Sequence, residues 1–131
     1  MAIITLFTKR TVTFTSLQAS TSETQTYVKA IPVDQFKQGM LVVRAHSRNI
    51  DANCSIAVTA QVTAPSPEDP SANFDSAVIG TATLSNGTTA TFANVALSNM
   101  GGYLKINVVG TKGSSGTNIT ADVSADIILT P

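Results

Sequence analysis

The chain has 131 residues, 43% of them apolar and 12% charged, and its 8 basic and 8 acidic residues cancel to zero net charge. That length fits one domain, 1–131, with a core of its own. The balance of charge excludes the electrostatic footprint of a protein devoted to nucleic acid or an anionic lipid surface, and no stretch has the length of a membrane span.

In chain order, Ile4 and Leu6 and then Val12 and Phe14 alternate with threonines, which predicts a first strand reaching about Leu17 with a bend or exposed edge at Lys9 and Arg10. Its apolar residues precede its charges, the reverse of a secretory signal, so the expectation is synthesis in the cytoplasm without export. Residues 18–26 form a polar run with too few apolar residues to be core and read as a long loop or, with the segment before them, as part of an extended arm within 1–26. Tyr27, Lys29, Ile31 and Val33 alternate with Val28 and Ala30, while Pro32 marks an edge strand or a bulge. Residues 33–39 read as a connection or a single helical turn.

Residues 40–50 form the next predicted strand, with Leu41, Val43 and Ala45 on one face and Met40, Val42, Arg44, His46 and Arg48 on the other. After a turn at 49–53, residues 55–63 place Ile56, Val58, Ala60 and Val62 inward, and the two strands are expected to pair. Cys54, the only cysteine, excludes an internal disulfide and reads as a small buried hydrophobe at a strand start. Residues 64–76 hold three prolines and several carboxylates, an irregular wet loop that Phe74 is expected to pin to the core. Asn86-Gly87 lies between two apolar runs, 78–84 and 88–95, and predicts a tight hairpin. Finally Leu104, Ile106 and Val108, a turn-rich stretch at 110–118, and the long alternation Ile119, Ala121, Val123, Ala125, Ile127, Leu129 predict a second, longer hairpin. About eight strands without an amphipathic helix between them predict an all-β fold, an antiparallel β-sandwich or jelly roll.

Catalytic chemistry finds no foothold in these residues. His46 is the only histidine, with neither an adjacent acid nor a nucleophile elbow. Asp122 and Asp126 share a strand face but stand about 13 Å apart, too far to act as a carboxylate pair. Glu68, Asp69 and Asp75, with Asp51 or Asn73, offer oxygens for calcium, but their spacing matches no EF-hand loop, and solvated loop acids are the preferred reading. Residues 112–117 resemble a phosphate-binding loop only superficially, lacking the Gly-Lys-Ser/Thr ending and a following helix. No cofactor is expected, and the chain is read as a non-enzyme.

The ending Gly102-Tyr103-Leu104-Lys105-Ile106-Asn107-Val108, followed by the alternation from Ile119 to Leu129, together with the threonine-rich polar half and the apolar N-terminal segment, resembles the small structural proteins of tailed-phage particles. That resemblance implies a β-sandwich or jelly roll that decorates or stabilises a phage head, resident in the virion. The partners it implies are copies of the chain itself and a larger capsid lattice. Candidate contact residues are Ile3, Ile4, Leu6 and Phe7 of the N-terminal segment and the stripe Arg44, His46 and Arg48. The alternative is a carbohydrate-binding module with a glycan on a sheet face or among the loops at 65–75 and 111–118.

Overall fold

A computed structural model describes residues 1–15, 17–64 and 74–131. Its elements are strands throughout: β1 (Ala2–Thr13), β2 (Thr21–Pro32), β3 (Gln38–Ile50), β4 (Ser55–Ala64), β5 (Phe74–Leu84), β6 (Thr91–Ser98), β7 (Tyr103–Lys112) and β8 (Ile119–Thr130). They form two four-stranded antiparallel sheets, β1-β8-β3-β6 and β2-β7-β4-β5, here called sheets A and B. The expected all-β sandwich of eight strands is therefore present, and its strand order is that of a jelly roll.

The period-two runs carry the core. Along β8 every odd residue from Ile119 to Leu129 is buried, and Leu41, Val43 and Ala45 of β3 lie beside them. Ile56, Val58 and Ala60 of β4 and Leu104, Ile106 and Val108 of β7 close the core from sheet B. On the other side these strands carry exposed or half-buried residues, apart from the buried Asn107 of β7 and Thr63 of β4, so only stacking the two sheets buries both apolar faces. Cys54 is buried and free, as the sequence led us to expect.

Pairing differs from expectation at three places, for one reason. β3 and β4, β5 and β6, and β7 and β8 are successive strands expected to pair, yet each pair is split between the two sheets. Alternation fixes which face a strand buries but not which neighbour it bonds, and in this topology the connections at 51–54, 85–90 and 113–118 cross from sheet to sheet. Asn86-Gly87 thus makes no hairpin. Gly87, at φ 148°, exchanges two backbone hydrogen bonds with Ile50 instead (3.1 and 2.9 Å). Successive strands in one sheet occur only at β4 and β5, which pair directly.

Two local expectations also change. The polar run at 18–26 is no loop beyond Ser20: from Thr21 onward it is β2, the edge of sheet B, hydrogen-bonded to β7. An edge strand hanging past the core needs no apolar face, which is why its composition conceals it. Phe74 does not pin the chain to the core. It opens β5 opposite Ala64 and is 73% exposed.

Candidate interaction surfaces

The stripe Arg44, His46 and Arg48 is divided by a bulge. β3 keeps register with β8 from Gln38 to Ala45, then shifts, so that Ser47 rather than His46 stands opposite Asp122. An extra residue in one strand turns every later side chain to the other face. Arg44 and His46 remain on the outer face, where His46 Nε2 lies 2.9 Å from Ser124 Oγ. Arg48 falls on the inner phase, opposite buried Ala121, and reaches the end of the sandwich. Its guanidinium donates to the carbonyls of Thr89 (2.8 Å), Ser85 (2.8 Å) and Asn86 (3.2 Å), clamping the β5–β6 connection.

The N-terminal candidates are held in a strand. Ala2 to Thr13 pairs with β8 along its length, with register shifts around Leu6 and again before Arg10. Ile4 and Leu6 turn inward, and Phe7 meets Tyr27 of β2 edge-on at 5.0 Å. Arg10 stacks over the same Tyr27 ring at 4.3 Å. This trio closes the side of the sandwich where the edges of the two sheets meet. Burial raises the Tyr27 phenol above its ordinary range, against the pull of the Arg10 charge. Of the four residues only Ile3, 65% exposed, points away from the body.

Ile3 belongs to a pattern that the sequence does not display. The register places Ile3 opposite Ile128, Ile128 opposite Met40, and Met40 opposite Ala96, all on the outer face of sheet A. One apolar row therefore crosses all four strands. The next row reads Thr5, Asp126, Val42 and Asn94, and the one after it Ser124, Arg44 and Phe92. Phe92 is 71% exposed, and with Val42, Arg44, His46 and Asn94 it lines an open hollow of about 570 Å³. Sheet B has a different outer face, where Thr26 donates to Asn107 Oδ1 (2.8 Å) and the Asn107 amide donates to Gln61 (3.3 Å). The only hint of the row in the sequence is Met40 and Ile128 at outward positions of their alternations, and no alternation reveals which residues share a row.

Asp51, Asp75 and Asp122 are committed to the fold. The Asp51 carboxylate accepts the backbone N–H groups of Asn118 (2.8 Å) and Thr117 (2.7 Å), which hold it below the ordinary carboxylate range. Asp75 is held down by Lys105 (2.8 Å) and by the Thr63 hydroxyl (2.7 Å). The hydroxyls of Thr11 (2.7 Å) and Ser47 (3.2 Å) do the same to Asp122. Glu68, Asp69 and Asn73 of the considered calcium set lie outside the described residues. Among the described residues no group of three His, Cys, Asp or Glu is placed to hold a metal ion. Among them, too, no helix is long and apolar enough to cross a membrane.

Two sheets with these strand orders define the chain as a double-sheet jelly roll. No family model matches the chain, and no curated protein matches its sequence. Among solved structures it is similar to the infectious bursal disease virus VP2 subviral particle, with a TM-score of 0.55 at 13% identity over 98% of this chain and 32% of that one. It is also similar to infectious bursal disease virus Gt strain, with a TM-score of 0.52 at 12% identity, again over 98% of this chain and 32% of that one. The chain thus spans about a third of each of those chains. At these identities the likeness is one of fold.

Proposed function

We propose that this chain is a non-enzymatic structural protein of a virus particle, a jelly-roll unit that contacts copies of itself or a larger protein lattice. The observation that carries this reading is the apolar row Ile3, Ile128, Met40 and Ala96, with Ile128 half-buried and the other three exposed, on the outer face of a sheet whose opposite face already fills the core. Water-facing apolar rows that cross a whole sheet mark contact surfaces. The jelly-roll likeness to viral-particle structures over nearly the whole chain supports the virion as its place. A role in decorating or stabilising a phage head is the finer form of the same proposal. Sedimentation of the purified protein over a wide concentration range tests it: a discrete oligomer or closed shell supports it, and a strict monomer that also fails to bind assembled particles refutes it.

A second reading, a carbohydrate-binding module, is favoured by one feature, the exposed Phe92 ring beside Arg44, His46 and Asn94 in the open hollow. Aromatic faces with nearby polar groups suit a pyranose ring. A glycan array probed with the wild type and with Phe92→Ala decides it, and silence of the wild type removes it.

A further inference from the structure

We propose that the outer face of sheet A pairs with the same face of a second copy, about a two-fold axis running along the strands midway between β8 and β3. This rests on the assembly reading above and names its first contact. The operation keeps each row in place and exchanges strands, so β8 lies over β3 of the partner and β1 lies over β6. Within the apolar row, Met40 then covers Ile128 and Ile3 covers Ala96, a large side chain on a small one at both ends.

Charge follows the same exchange. Val42 lies over Asp126, Arg44 lies over Ser124, and Ser124 is two residues from Asp126 along β8. Arg44 of one copy therefore meets Asp126 of the other within the reach of an extended guanidinium, twice per dimer. Among the described residues Arg44 has no ion pair within its own chain, so the contact costs no existing bridge. An isologous interface requires a patch complementary to itself, and these rows meet that condition about this axis. An axis across the strands would keep the apolar row in contact with itself only by running along that row, and Arg44 would then fall beyond the strand ends of the partner, away from Asp126. The occupant is a second copy because one axis matches the apolar row to itself, large residue to small, and brings the outward Arg44 and Asp126 of the same face together, a self-complementarity that an unrelated apolar surface does not share.

The test uses the full chain carrying Ile3→Cys and Ala96→Cys and a short bis-maleimide. Within one copy these positions lie three strand spacings apart, about 14 Å, whereas across packed sheets they face each other over about 10 Å. The native Cys54 is buried. A covalent dimer from the double variant, and none from either single variant, is expected. Met40→Glu, with circular dichroism unchanged, should weaken the dimer about tenfold or more, since each copy would bury an unpaired carboxylate. Arg44→Asp should weaken it and Asp126→Arg added to it should restore it. If the wild type associates but the double variant does not cross-link, or if Met40→Glu associates as the wild type does, this face is overturned while the assembly reading stands. If the wild type sediments as a monomer throughout and fails to cross-link as the double variant, this face is overturned as well, and binding to assembled particles then decides the broader reading.

Discussion

Gly110 of β7 offers the sharpest test of how the core is packed. Its backbone lies in the ordinary extended range, so conformation alone would accept a side chain, but a Cβ there would sit 2.6 Å from Phe14 Cδ1 and closer still to Cγ and Cδ2. Ordinary carbon contacts are about 3.5–4.0 Å, so the overlap is about 1 Å or more. Phe14 cannot easily give way. Its ring is buried, and its N–H is bonded to the Ile119 carbonyl at 3.0 Å. Overpacking of this kind costs about 1–3 kcal/mol. Against it stands the stiffening of the unfolded chain by Gly→Ala, which stabilises by about 0.4–1 kcal/mol. Gly110→Ala should therefore destabilise by about 1–2 kcal/mol, a fall of several degrees in Tm for a domain of this size. Urea unfolding of Gly110→Ala, Phe14→Leu and the double variant forms a cycle, and removing the ring should recover about 1 kcal/mol of the loss. Equal stability of Gly110→Ala and wild type, or a cycle with no coupling, would refute the packing argument.

Arg48→Ala should cost about 1–3 kcal/mol, because three carbonyls lose a charged donor. Hydrogen exchange at the Gly87 and Ile50 amides should rise with it, and unchanged protection would show that the clamp is idle. Asp51 has its carboxyl lowered in the fold, so the unfolded chain binds its proton first as pH falls. The contribution is complete above the unfolded value of about 3.9 and is lost as pH drops through the lower folded value. Asp51→Asn should accordingly flatten the acid limb of the stability curve below about pH 5 and leave its slope near neutrality unchanged. Removing residues 1–7 should abolish the cooperative unfolding transition, since it strips about half of β1 from β8; a truncated chain with native circular dichroism and melting would refute that role for the strand.

The sequence made the faces of the strands legible and their partners illegible. Every apolar residue of the β8 alternation from Ile119 to Leu129 is buried as its spacing requires, and Leu41, Val43 and Ala45 behave likewise. Pairing depends instead on which neighbour each connection reaches, and the Asn86-Gly87 turn shows the limit, since its conformation serves a contact with Ile50 rather than a hairpin. Bulges are equally hidden. The one in β3 turned Arg48 from a surface candidate into a clamp, and those in β1 helped direct Phe7 toward Tyr27. The apolar row on sheet A required the register of three strand pairs before it existed as a feature at all.

The place of β8 between β1 and β3 has a consequence for biosynthesis. While the chain emerges from the ribosome, the first and third strands wait with an empty slot between them, their apolar faces uncovered, until residue 130 is free. Sheet A is thus the later sheet to close, whereas β7 completes sheet B about twenty residues sooner. A nascent chain stalled between these points is half a sandwich, the form most exposed to capture by chaperones or by another unfinished copy.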